Sequence, residues 1–222
     1  MENNTMDLFK VKASKIKYTE IPRDGKLYTA AMDKNYAVFA KYYDFAMTPM
    51  WKVWLKKIVP FIEGPKVLEV SFGTGYLMTQ YADRFDTYGI DFSSEMIQIT
   101  KRKLKKKGLT AAISQGNVES LPFENNAFDT VVNTMAFTGY PDGEKALDEM
   151  KRVLKKNGKL LLMDFDYPAD RNIIGYSLVK IGEMYGDIMK DIKGYLENSG
   201  FQYRETRVGG FGSVYLFVCN KA

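Results

Sequence analysis

Val67-Leu68-Glu69-Val70-Ser71-Phe72-Gly73-Thr74-Gly75 is an apolar run that ends in a glycine turn. Glycine lets the backbone reverse sharply and lets another molecule approach main-chain atoms with no Cβ in the way, so the run reads as a strand opening a strand–turn–helix unit. Outward from it, short apolar runs at 66–72, 87–92, 111–116, 128–136 and 159–165 alternate with helical patterns at 75–85, 93–107 and 143–156. Several of the runs are near-continuously hydrophobic, as strands covered on both faces must be. Asp142 and Ser93 or Ser94 stand where helices need N-caps, and Gly108 and Gly158 where they need stops.

The ends of the chain follow other patterns. Region 170–198 is helical but interrupted by Gly175, Gly182, Gly186 and Gly194. Two further runs, 201–208 and 213–219, are joined by Gly209-Gly210-Phe211-Gly212, a hairpin signal that sets one antiparallel strand beside a parallel sheet. Upstream, 34–47 and 49–62 are helical patterns rich in tyrosine and tryptophan. The expected fold class is α/β: a Rossmann-like, seven-stranded, mostly parallel sheet with an antiparallel C-terminal strand and helices on both faces. A chain of 222 residues suits a single domain, 1–222, with a helical lid over 1–62 on a core of 63–222.

Composition removes several chemistries. There is no histidine, which excludes His-dependent triads, imidazole metal sites and the usual neutral-pH base. One cysteine, Cys219, excludes an internal disulfide framework and a multi-thiolate zinc site; its place in the last strand reads as core. The net charge of +5 admits an anionic partner without demanding one. The run Lys101-Arg102-Lys103-Leu104-Lys105-Lys106-Lys107 closes a predicted helix, where cations complement the dipole, so a solvated helix end is favoured over a nucleic-acid patch. No apolar run approaches a membrane span, and the polar start is unlike a secretory signal; a cytoplasmic protein is expected.

The second strand ends Gly89-Ile90-Asp91-Phe92, which puts a carboxylate beside the glycine turn, where it can accept hydrogen bonds from both hydroxyls of a ribose. A dinucleotide fingerprint wants a third glycine at 78, and position 78 is Met78; S-adenosylmethionine, which has no pyrophosphate, is favoured over a nicotinamide cofactor. At the third strand end, Asn117 and the following backbone N–H are placed to pair with an adenine edge, with a plain turn as the alternative reading.

VLEVSFGTG, YGIDFSSEMI, GNVESLPFENNAFDTVV and ALDEMKRVLKKNGKLLLMD occur in this order, and with them the chain over about 42–165 resembles the class I S-adenosylmethionine-dependent methyltransferases, particularly the ubiquinone/menaquinone C-methyltransferase branch. The resemblance implies that Glu69, Ser71, Gly73 and Gly75 surround the methionine end of S-adenosyl-L-methionine and that Asp91 holds the ribose. It likewise implies that Phe92 and Met96 border the adenine, that Asn117 and Val118 read its edge, and that Asn133 lies near the methyl group. Tyr43, in the stretch Tyr42-Tyr43-Asp44, matches residues that cover the cofactor. Ser71 stands where the family has a glycine, and Asn117 where it usually has an acid.

Methyl transfer from a sulfonium depends mainly on alignment, so missing histidine is tolerable. Amine, thiol and acidic hydroxyl acceptors need little base, whereas carbon methylation of a quinol needs more, and a small-molecule N, S or acidic O acceptor is expected between the N-terminal helices and 167–198. Tyr140, Asp166 and Tyr167 are the first candidates for a base. Three alternatives stand beside this: methylation of RNA, although strand four ends Asn133-Thr134-Met135-Ala136 without the Asn/Asp-Pro-Pro-aromatic signature; methylation of a lipid amine at a membrane surface reached through Lys52, Trp54, Lys56 and Lys57; and a non-catalytic binder of the same cofactor.

Overall fold

In the computed structural model, the described residues are Tyr18, 48–184 and 186–221. The helical expectation for 34–47 and the position of Tyr43 lie outside them. The described chain forms a seven-stranded sheet: β1 (Lys66–Val70), β2 (Asp86–Asp91), β3 (Ala112–Gln115), β4 (Phe128–Thr134), β5 (Leu154–Phe165), β6 (Phe201–Gly209) and β7 (Val214–Lys221). The order is β3-β2-β1-β4-β5-β7-β6, with β7 antiparallel to both of its neighbours. Strand order reverses between β1 and β4, so a crevice opens at the carboxyl ends of these two strands.

Alternation along each strand builds two cores. Leu68, Val131, Leu160, Leu162 and Phe217 face one side, with Leu147 and Met150 of α3 (Gly143–Val153) and Leu196 of α5 (Ile192–Asn198). Val67, Val132, Leu161, Met163 and Leu216 face the other, with Trp54 of α1 (Thr48–Lys56) and Ile97 and Leu104 of α2 (Ser94–Lys107). Cys219 is a buried member of the first core, and burial pushes its thiol far above the ordinary range. Helix α4 (Ile173–Met184) precedes α5, so the glycine-interrupted region is two helices.

Ser93 caps α2 through Met96 N, Asp142 caps α3 through Lys145 N, and Gly108 ends α2 in the left-handed conformation at φ 66°. Two expectations fail locally. Region 75–85 is a chain of turns around one 3₁₀ turn, Met78–Gln80, rather than a helix. Thr79 Oγ1 (2.8 Å) and Gln80 Nε2 (3.4 Å) both donate to the Tyr76 carbonyl that an α-helix would give to Gln80 N, and Gln80 N bonds Leu77 O instead. Helix α3 stops at Val153 rather than at Gly158, because the carbonyls of Arg152 and Val153 accept from Asn126 N (3.0 Å) and Ala127 N (2.8 Å), and Leu154 enters the core as strand.

The membrane-facing alternative for α1 also loses its basis. Trp54 is buried, Lys57 Nζ donates to Val208 O at 2.8 Å, and a Cβ on Gly209 would lie 2.0 Å from Trp54 Nε1, so α1 lies tight against the end of β6. No helix among the described residues is long and apolar enough to cross a membrane.

Candidate active site

The turn after β1 is built from left-handed residues at alternate positions: Ser71 (φ 52°), Gly73 (φ 54°) and Gly75 (φ 68°). The two glycines serve different ends. A Cβ on Gly73 meets nothing within 4 Å, so its main chain faces open space, whereas a Cβ on Gly75 would fall 2.4 Å from Thr100 Cγ2 of α2. Asp91, at the end of β2, ties the turn to its neighbour: Oδ2 accepts from Gly73 N at 2.8 Å and Oδ1 from Ser93 N at 2.9 Å.

These elements frame one cavity of about 230 Å³. Of the residues expected from the sequence, Glu69, Ser71, Gly73, Asp91, Phe92, Met96, Asn117 and Val118 line it. Phe92 is half exposed and Met96 buried, an arrangement of apolar rim and floor. Asn117 borders the cavity, and its Oδ1 closes a turn by accepting from Glu119 N at 2.9 Å. Gly75 is a packing residue rather than part of the wall.

Asn133 is fully buried behind the wall. Its Nδ2 donates to Tyr140 Oη (2.5 Å), which in turn donates to Ser71 Oγ (2.8 Å), so Asn133 reaches the cavity only through Tyr140. This chain also accounts for the serine where a glycine is usual: its hydroxyl holds Tyr140 against the strained turn.

The protonation states are set by burial. Glu69 is 1% exposed; desolvation pushes it up to about 8, against the bond from Tyr81 Oη (2.7 Å) that favours the carboxylate. Tyr140 is raised far above its ordinary range by burial and stays a hydroxyl. Of the other base candidates, Asp166 is pushed up to about 6 and Tyr167 up to about 12, both chiefly by burial, and neither borders the cavity. Asp166 Oδ1 accepts from Tyr167 N (2.6 Å) and Tyr18 Oη (3.4 Å).

The rest of the wall was expected only coarsely, as a helical lid from 1–62, and not residue by residue. Trp51, Lys52 and Leu55 of α1 close one side with Tyr76, and Met135, Ala136, Gly139 and Pro141 close another. The signal for α1 was present in its aromatic helical pattern but was equally compatible with packing on the sheet edge.

Residues 68–162 match the model of the methyltransferase domain family. The chain is 31% identical over 194 residues to the ubiquinone/menaquinone biosynthesis C-methyltransferase UbiE of Shewanella frigidimarina, covering 80% of this chain and 77% of that protein. The chain belongs to the class I S-adenosylmethionine-dependent methyltransferases. The UbiE of Shewanella baltica is likewise 31% identical, over 174 residues, covering 72% of this methyltransferase and 68% of the relative. Among solved structures, a methyltransferase from Haloferax volcanii in complex with the Trm112 activator superimposes with a TM-score of 0.71 at 16% identity, over 85% of this chain and 96% of that one. A Thermotoga maritima S-adenosylmethionine-dependent methyltransferase gives 0.69 at 18%, over 86% and 100%. These two likenesses are of fold. The methyl donor of this methyltransferase is S-adenosylmethionine, and the cavity fits it: open main chain at Gly73, an acid at the end of β2 and a buried acid, Glu69, on the floor.

Proposed function

We propose that this methyltransferase modifies a small molecule that carries an amine, a thiol or an acidic hydroxyl. Bound S-adenosylmethionine supplies an activated methyl group on a sulfonium. Toward it, Asp91 accepts from ribose hydroxyls, Phe92 and Met96 border the base, Asn117 and Val118 meet its edge, and Glu69 takes the ammonium. Trp51, Leu55 and Met135 exclude water from the far wall, and Tyr140 donates a hydrogen bond there without taking a proton. The observation that carries the acceptor class is that each acid in this wall already holds a protein donor: Glu69 that of Tyr81, Asp91 those of Gly73 and Ser93, and Glu119 the Asp142 N–H (3.0 Å). An acceptor that gives up its proton readily suits such a wall.

Calorimetric titration tests the cofactor roles: S-adenosylmethionine binds saturably, and Asp91→Ala weakens it at least tenfold. A mass-shift screen over amines, thiols and phenols tests the acceptor class, with a gain of one methyl on a heteroatom expected. The names of the relatives favour a second reading, methylation at carbon of a quinol. A carbon-bound methyl in the product, seen by NMR, decides for it.

A further inference from the structure

The donor's amino-acid end is a zwitterion, and Glu69 answers only its ammonium. A buried carboxylate left without a cation would lose affinity. The described wall contains one cation, Lys52. It projects from α1 with its Nζ 5.2 Å from the ring centroid of Tyr76, the residue next to Gly75 in the turn expected to receive the amino-acid end. A cation over a ring face keeps its N–H donors for another partner, and Lys52 makes no ion pair with a described carboxylate.

Its element is fixed: Trp54 packs over Gly209 and Lys57 holds the Val208 carbonyl, while Trp51 and Leu55 share the cavity side with Lys52. A cation carried on an anchored helix, in the wall of the same cavity as a buried acid, is a preorganised amino-acid clamp. We infer that Lys52 binds the α-carboxylate of the donor and makes the site selective for adenosyl ligands that retain the amino-acid tail. The inference rests on the cavity being the donor site.

The test uses two ligands and two variants of the full chain. S-adenosylhomocysteine carries the tail, and 5′-methylthioadenosine lacks it. Lys52→Met keeps the length and apolar stem of the side chain, and Lys52→Arg keeps the charge. Calorimetry on variants whose melting matches the parent is expected to show a tenfold or greater loss for S-adenosylhomocysteine in Lys52→Met, recovery to within about threefold in Lys52→Arg, and unchanged binding of 5′-methylthioadenosine throughout. Equal losses for both ligands would make α1 a mere wall and overturn the inference, as would unchanged S-adenosylhomocysteine binding. If neither ligand binds the parent protein, the donor-site reading itself fails; binding of 5′-methylthioadenosine with an unaffected Lys52→Met variant sinks only the clamp.

Discussion

Glu69 trades stability for binding. Its folded value of about 8 lies above the ordinary 4.5, so the fold favours the protonated acid. The resulting stabilisation is complete below pH 4.5 and is lost as pH rises toward 8 and through it. Glu69→Gln keeps an acceptor for Tyr81 and removes the titration: its melting temperature should exceed the parent's at pH 8.5 and match it near pH 4.5. Binding a cation opposite Glu69 requires its proton to leave, so S-adenosylhomocysteine should bind more tightly from pH 6 to 8 with release of a proton. Calorimetry in buffers of different ionisation enthalpy measures that release. The neighbouring glycines should separate in the same assays. Gly75→Ala places a Cβ against Thr100 at a left-handed φ and should destabilise by about 2 kcal/mol or more. Gly73→Ala meets no atoms and should cost about 1–2 kcal/mol of strain, while cofactor affinity falls at least tenfold because the methyl group enters the cavity.

At the scale of elements, the end of α3 depends on Arg152, whose guanidinium spans Glu149 (2.7 and 2.8 Å), the carbonyls of Leu121 (2.9 Å) and Phe123 (2.7 Å), and Asn125 Oδ1 (2.9 Å). Lysine cannot reproduce that fork, and Arg152→Lys should destabilise by about 1–3 kcal/mol in urea unfolding, with cofactor affinity kept. Only its bond to Glu149 is local in the sequence; the other three partners lie 27 to 31 positions away. The early end of α3 was hidden for the same reason. Where the deciding contacts are local, the sequence spoke clearly: Ser93 and Asp142 as caps, Gly108 as a stop, and alternation in β4 and β5. Region 75–85 is the exception among local features: Leu77, Met78 and Tyr81 pack in the core, yet two side chains divert a backbone carbonyl and the expected helix does not form.

Across the whole molecule, the sheet separates charge from chemistry. Helix α2 begins beside Asp91 and runs 14 residues, about 21 Å, to Lys105, Lys106 and Lys107 at the opposite edge. Replacing these three by glutamine should leave S-adenosylhomocysteine binding unchanged in calorimetry, and should lower stability by no more than about 1 kcal/mol through the lost helix-end complement. The floor of the cavity was legible because each strand end brings its own residue to the crevice: Glu69, Asp91, Asn117. Its roof was legible only as a helical lid over 1–62, because the contact that seats α1 is on β6, some 150 residues later, and Asn133 stands behind Tyr140 rather than in the wall.

Of the two strands of the hairpin, the later one, β7, is not the one at the sheet edge. Because β7 fills the place between β5 and β6, a chain growing from its N-terminus keeps β5 as an open edge until β7 is available. Since α1 rests against β6, the cavity acquires that wall only when the hairpin closes. A chain that has reached only β6 therefore holds a nearly finished sheet that is not yet an enzyme, with an apolar edge exposed to neighbouring chains until β7 follows.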